Sequence, residues 1–128
     1  MTTRVLRADA VLDIALGFVL LAATWGGLYE ALDLPHPEPE LFTQVAGGLL
    51  LAFGYLLWIA PRETTLTQAV SFTAAFANAL GAAVLLVWLA GGYADGILLW
   101  ALVPVLAAFA VLEARIASRS VAMLLPPD

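Results

Sequence analysis

The chain has 128 residues, of which 63% are hydrophobic and 12% charged, and its mean hydropathy is +0.99. Soluble domains are roughly half apolar and about a quarter charged, so this composition excludes an ordinary water-soluble globule and makes lipid the solvent for most of the surface. Five basic residues against ten acidic ones leave no basic surface for nucleic acid, and the absence of cysteine excludes disulfides, thiolate catalysis and cysteine metal sites.

Charge is segregated, leaving uncharged runs at Ile14–Tyr29, Leu41–Pro61, Thr64–Ala94 and Gly96–Leu112. A membrane-crossing helix needs about 20 mostly apolar residues. The four runs predict an all-α, integral membrane, up-down-up-down four-helix bundle. It forms one transmembrane domain over 1–128, with helices at about 10–32, 39–60, 65–90 and 95–118. Arg4, Arg7 and the small residues of "LAAT" could suggest a cleaved signal peptide, but Asp13 interrupts its apolar core, which favours a retained first span.

In the first span Asp9, Asp13, Gly17, Thr24 and Gly27 share one helical face, predicted to look into the bundle. The span ends before Pro35, since a residue preceding proline is pushed out of helical geometry. "DLPHPEPE", residues 33–40, then reads as a stiff turn: Pro35 stops one helix, Pro37 holds the chain extended, and Pro39 starts the next. In the second span Gly48 and Ala52 form a small-xxx-small pair suited to close helix packing.

The third span opens on Thr65 and Gln68 at capping-box spacing. Along it Thr67, Ser71, Ala74, Asn78 and Gly81 recur in steps of four and three, which places small and polar groups on one packing seam. The fourth span has Asp95 as its expected cap. Pro104 removes an amide donor from its middle and frees the carbonyl of Trp100, so a kink is expected there. No internal repeat relates the two hairpins.

Every cationic residue is an arginine: Arg4 and Arg7 before span one, Arg62 between spans two and three, and Arg115 and Arg119 near the end of span four. Retention of arginine on the cytoplasmic side puts both termini and the 61–66 loop inside, in a bacterial plasma membrane. Trp25, Tyr29, Trp88, Tyr93 and Trp100 then make an outer aromatic belt, and Tyr55 and Trp58 an inner one.

Asp13 is the most suggestive ionisable group, because intramembrane carboxylates mark proton and ion pathways. The plainer reading, which is favoured, pairs it with Arg62 or Arg115 at the inner rim. Asp9, Glu63 and Glu113 read the same way, as solvated or paired rim charges. Asn78 could contact a transported species, with Gln68, Ser71 and Thr73 lining a path. Interhelical hydrogen bonding, worth roughly 0.6–2 kcal/mol per bond, is the favoured alternative. His36, Glu38 and Glu40 are weak metal candidates, since in extended polyproline geometry donors two residues apart splay around the axis. No metal, cofactor or catalytic motif is expected, and the chain is read as non-enzymatic.

The run "QVAGGLLLAFGYLLWIAPRE", followed by a third helix carrying "FANALGAAVLLVW", resembles small four-span bacterial membrane proteins of uncharacterised function, loosely DoxX-like. That resemblance implies a fold and no catalytic residue. Small multidrug transporters fit less well, because they carry a glutamate where this chain has Val19, Leu20 and Leu21. Dual-topology fluoride channels need a weak arginine bias, and here the bias is complete. The leading expectation is an accessory or assembly subunit, or a homo-oligomeric component, with lipids and other membrane subunits or itself as partners. The alternatives are a small ion or solute transporter or channel using Asp13 and the polar face of helix three, and a lipid or apolar-ligand binder.

Overall fold

The computed structural model describes residues 2–124, with side chains through residue 119. It is all-helical. The elements are α1 (Thr2–Leu21), α2 (Gly26–Ala31), α3 (Glu40–Ile59), a 3₁₀ turn at Ala60–Arg62, α4 (Thr64–Ala90) and α5 (Ile97–Leu124). Three helical stretches among the described residues are long and apolar enough to cross a membrane: Glu40–Arg62, Thr64–Ala90 and Ile97–Arg119.

The N-terminal segment departs from the expected single helix at about 10–32. α1 starts earlier, at Thr2, carries Arg4, Arg7, Asp9 and Asp13, and ends at Leu21. The break falls over Ala22–Trp25, just ahead of Gly26 and Gly27, whose low helix propensity weakens continuation of a single helix through this stretch. α2 restarts at Gly26, and the Tyr29 hydroxyl donates to the Val19 carbonyl at 3.2 Å across the break. Tyr29 is therefore buried rather than placed in an exposed belt, and Thr24 and Gly27 are exposed rather than turned inward.

The turn after α2 closes on Asp33, which adopts φ 53. Asparagine and aspartate tolerate this left-handed conformation better than most residues, and it is the usual way to end a helix. The Asp33 carbonyl lies where a Cβ on Gly96 would sit, and Gly96 itself has φ +143. Only glycine fits at residue 96, and the α4–α5 turn is thereby seated against the end of α2.

α3 begins at Glu40 after Pro39, close to the expected start, and its last turn tightens into the 3₁₀ segment containing Pro61. The Thr65–Gln68 capping box does not form: the residue capping α4 is Glu63, with no side-chain cap bond. Thr67 does the tying instead, its hydroxyl reaching the Ala60 and Glu63 carbonyls at 2.7 and 2.8 Å. At the start of α5 the Gly96 amide donates to Asp95 Oδ1 at 2.8 Å, and the helix runs through Pro104 without interruption.

α1 packs chiefly on α3, and α4 on α5. Close approach in the first pair comes from Gly17, Gly47 and Gly54. A Cβ on Gly47 would lie 2.7 Å from the Gly17 carbonyl oxygen, and one on Gly54 would lie 3.0 Å from that of Ala10. Gly48 and Ala52, the expected packing pair, are both exposed, and a Cβ on Gly48 would meet nothing within 4 Å. The reason is register: with Gly47, Gly54 and Leu57 inward, Gly48 and Ala52 turn out. Ala74 is fully buried, and Gly81 approaches Leu106 of α5.

Leu6, Ala10, Leu57, Ala60, Val70 and Ala74 form a buried cluster joining the two pairs, flanked by Phe53 and Leu66. The outer surfaces are strongly apolar: Phe18, Phe42, Leu49, Phe72, Phe76, Val87 and Ile97 are all exposed. That inversion suits a chain whose surroundings are hydrocarbon.

Candidate functional site

The helical register sends polar groups into the interior. On α1 the buried residues are Leu6, Asp9, Ala10, Asp13 and Gly17, and on α4 they include Thr67, Val70, Ser71, Ala74, Asn78 and Ala82. α5 contributes Leu106, Glu113, Ile116 and Ala117. Within each set most members are three, four or seven residues from another, so the carboxyl groups are held inside by the same faces that carry the apolar packing.

Asn78 joins three helices. Its Nδ2 donates to Asp9 Oδ2 at 3.0 Å and to Glu113 Oε2 at 2.9 Å. A side-chain amide has two N–H donors, and here each is directed at a different carboxyl group. Asp9 and Glu113 are fully buried, and Asn78 is 7% exposed. The second oxygens, Asp9 Oδ1 and Glu113 Oε1, have no hydrogen-bond partner among the described residues, and neither does the buried Ser71 hydroxyl. Asp13 lies one turn along α1 from Asp9, also buried.

Among the described residues no cation pairs with these acids. Arg4, Arg7, Arg62, Arg115 and Arg119 are all exposed, and the one ion pair among the described residues joins His36 Nε2 to Glu40 Oε1 at 3.3 Å. The expected rim pairs of Asp13 with Arg62 or Arg115 are not formed. Arg7 stacks instead over Trp58, with 5.0 Å from its guanidinium carbon to the ring centroid. Such stacking and snorkelling let an arginine sit at a hydrocarbon edge without a carboxylate.

Asp13, Ser71 and Asn78 thus share the interior, whereas Gln68 and Thr73 do not join them. Thr73 is exposed and its hydroxyl bonds to the Ala69 carbonyl of its own helix, while Gln68 lines an outer groove between α4 and α5. The path imagined from Gln68, Ser71 and Thr73 is therefore split between two faces of α4. Near the proline-rich turn no three His, Asp or Glu side chains converge on a metal-sized site among the described residues.

Asp9 and Glu113 belong to the cluster, although their nearness to arginines in sequence suggested solvated rim charges. Two signals pointed inward. Asp9 is in phase with Asp13 and Gly17, and Glu113 is in phase with Leu106, Ile116 and Ala117. No family model, no curated protein and no solved structure matches the chain, so its functional reading rests on this site.

Proposed function

We propose that the chain is a small, non-enzymatic integral membrane protein with an intramembrane proton-exchange site, acting in proton-coupled movement of an ion or solute. The observation that carries this reading is the pair of buried carboxyl groups, Asp9 and Glu113, bridged by one Asn78 amide. Burying a carboxyl in a spanning helix costs up to about 2.5–3.5 kcal/mol on insertion scales, the full amount applying at its centre, and two leucines would pack at no such cost. Interhelical adhesion alone does not call for two acids. A carboxyl pair at this range, away from water, is the arrangement that holds and releases a single proton.

The donor set favours a proton over a metal ion. Asn78 turns N–H groups, not its carbonyl, toward the acids, whereas hard cations call for several oxygen ligands. Asp13, one turn away on the same face, and the partnerless Ser71 hydroxyl are the groups through which the proton would arrive or leave.

In this reading α1 with α2, α3, α4 and α5 make four passes in up-down-up-down order. Both termini and the Ala60–Glu63 connection are cytoplasmic in a bacterial plasma membrane. The one-sided arginines support that orientation. The Asn78 bridge, which draws the first half of α1 and the second half of α5 to one level, supports placing both termini on the same side.

Proton flux into liposomes under a pH gradient tests the proposal. The full chain should dissipate the gradient faster than empty vesicles, and the Asp9→Asn/Glu113→Gln variant should not. Equal rates for both proteins would refute it.

A second reading, a self-associating or accessory subunit, draws on Gly48 and Ala52. Exposed at i and i+4 on the outer side of α3, with open space over Gly48, they offer a flat strip for a further helix. The two readings are compatible.

A further inference from the structure

A groove of about 680 Å³ runs along the outer surface between α4 and α5, and none of the buried acids lines it. Its floor and walls are Ala69, Phe72, Ala114 and Ala117, with Thr65 and Gln68 among its polar groups. The volume falls within the 300–1,000 Å³ range of small-ligand sites. Mostly apolar walls with a few polar groups suit an acyl chain leading to a polar head.

Arginine stands at the same end without lining it. Arg115 and Arg119, at i and i+4 on α5, follow the groove residues Ala114 and Ser118 in sequence, and Arg62 precedes α4 at that end. Both α5 arginines are exposed, and neither forms an ion pair among the described residues. Arg115 is only two residues beyond the buried Glu113, about 3 Å along the helix axis. A guanidinium on a hydrocarbon-facing surface near that level extends toward the headgroups and binds phosphate through paired N–H groups.

From this charge complementarity we infer that the groove holds one anionic phospholipid of the arginine-side leaflet. Its phosphate is clasped by Arg115 and Arg119, and one acyl chain lies along Phe72 between α4 and α5. Basic pockets between membrane helices bind anionic headgroups by the same chemistry. This site is separate from the carboxyl cluster and stands or falls independently of proton exchange.

The test is native mass spectrometry of the full chain released from nanodiscs of equimolar phosphatidylglycerol and phosphatidylcholine. Wild type should retain phosphatidylglycerol selectively. At about fivefold in affinity per near-surface arginine, Arg115→Gln/Arg119→Gln should weaken retention about 25-fold. Ala69→Leu/Ala114→Leu, which fills the groove and leaves the charge, should also lose the lipid, while Arg4→Gln/Arg7→Gln should keep it. Circular dichroism confirms that each variant remains helical. Three results would overturn the proposal: equal retention of the two lipids, equal loss in the two arginine variants, or a second copy of the chain in the groove, seen as a dimer that Ala69→Leu/Ala114→Leu abolishes.

Discussion

Asn78 Nδ2 lies 2.9 Å from Glu113 Oε2, fastening the middle of α4 to α5 at a point shielded from solvent. The same nitrogen holds Asp9 of α1. One amide thus links the N-terminal pair of helices to the C-terminal pair, and much of the protein's behaviour should depend on it.

Replacing Asn78 with leucine removes both donors and strands two buried acceptors. Each stranded group costs roughly 1–3 kcal/mol, so Asn78→Leu should destabilise the fold by on the order of 3 kcal/mol in a detergent unfolding titration. Thr73→Val, on the exposed side of the same helix, should change stability by less than about 0.5 kcal/mol. Equal effects would show that the interior bridge is not the stronger contact.

The adjacent glycines of α3 should behave in opposite ways. Gly47→Ala drives a methyl group to within 2.7 Å of the Gly17 carbonyl oxygen, and overpacking of this kind costs about 1–3 kcal/mol. Gly48→Leu points into open space and should leave the unfolding transition of the single chain unchanged. If Gly48 forms a surface for another helix, crosslinking in native lipid will register its replacement even though the melting curve does not.

At the opposite end, Gly96→Ala should be more damaging than Gly92→Ala. Both glycines have positive φ, but only Gly96 lies against the Asp33 backbone. Hydrogen exchange should therefore accelerate in two separated segments, around residues 28–34 and 91–97, in Gly96→Ala. Acceleration confined to 91–97 would mean that the two turns are not seated together.

The absence of cysteine makes orientation directly measurable. Single cysteines placed at Arg4, Arg62 and Arg119 should react with an impermeant reagent only from the cytoplasmic side. Cysteines at His36 and Ala94 should react only from the opposite side. Labelling of position 4 and position 62 from different sides would contradict the even number of passes before α4.

Composition and charge segregation made much of this architecture legible. α3 and α4 start within a residue of Pro39 and Thr65, and they end just before Pro61 and the Gly91-Gly92 pair. The break at Ala22–Trp25 was harder to read, because apolar residues continue across it and hydropathy does not register a local loss of helix propensity. The inward glycine of α3 is hidden for a related reason: in a helix apolar on every side, periodicity does not reveal which of the neighbours Gly47 and Gly48 faces inward. The site divides similarly. Asp13, Ser71 and Asn78 stood out as polar residues in apolar runs, whereas Asp9 and Glu113 were masked by Arg7 and Arg115 nearby in sequence. Two residues along a helix are a turn of about 200°, enough to put Arg7 outside while Asp9 is inside.

The central claim, that Asp9 and Glu113 hold a proton between them, is tested most directly by infrared titration of the carboxyl C=O stretch in reconstituted protein. Wild type should show a protonated-carboxyl band within the membrane domain that titrates with pH, is lost in Glu113→Gln, is shifted in Asp9→Asn, and persists in Asp95→Asn. A wild-type spectrum without such a band, or one that Glu113→Gln leaves unchanged, would contradict the account.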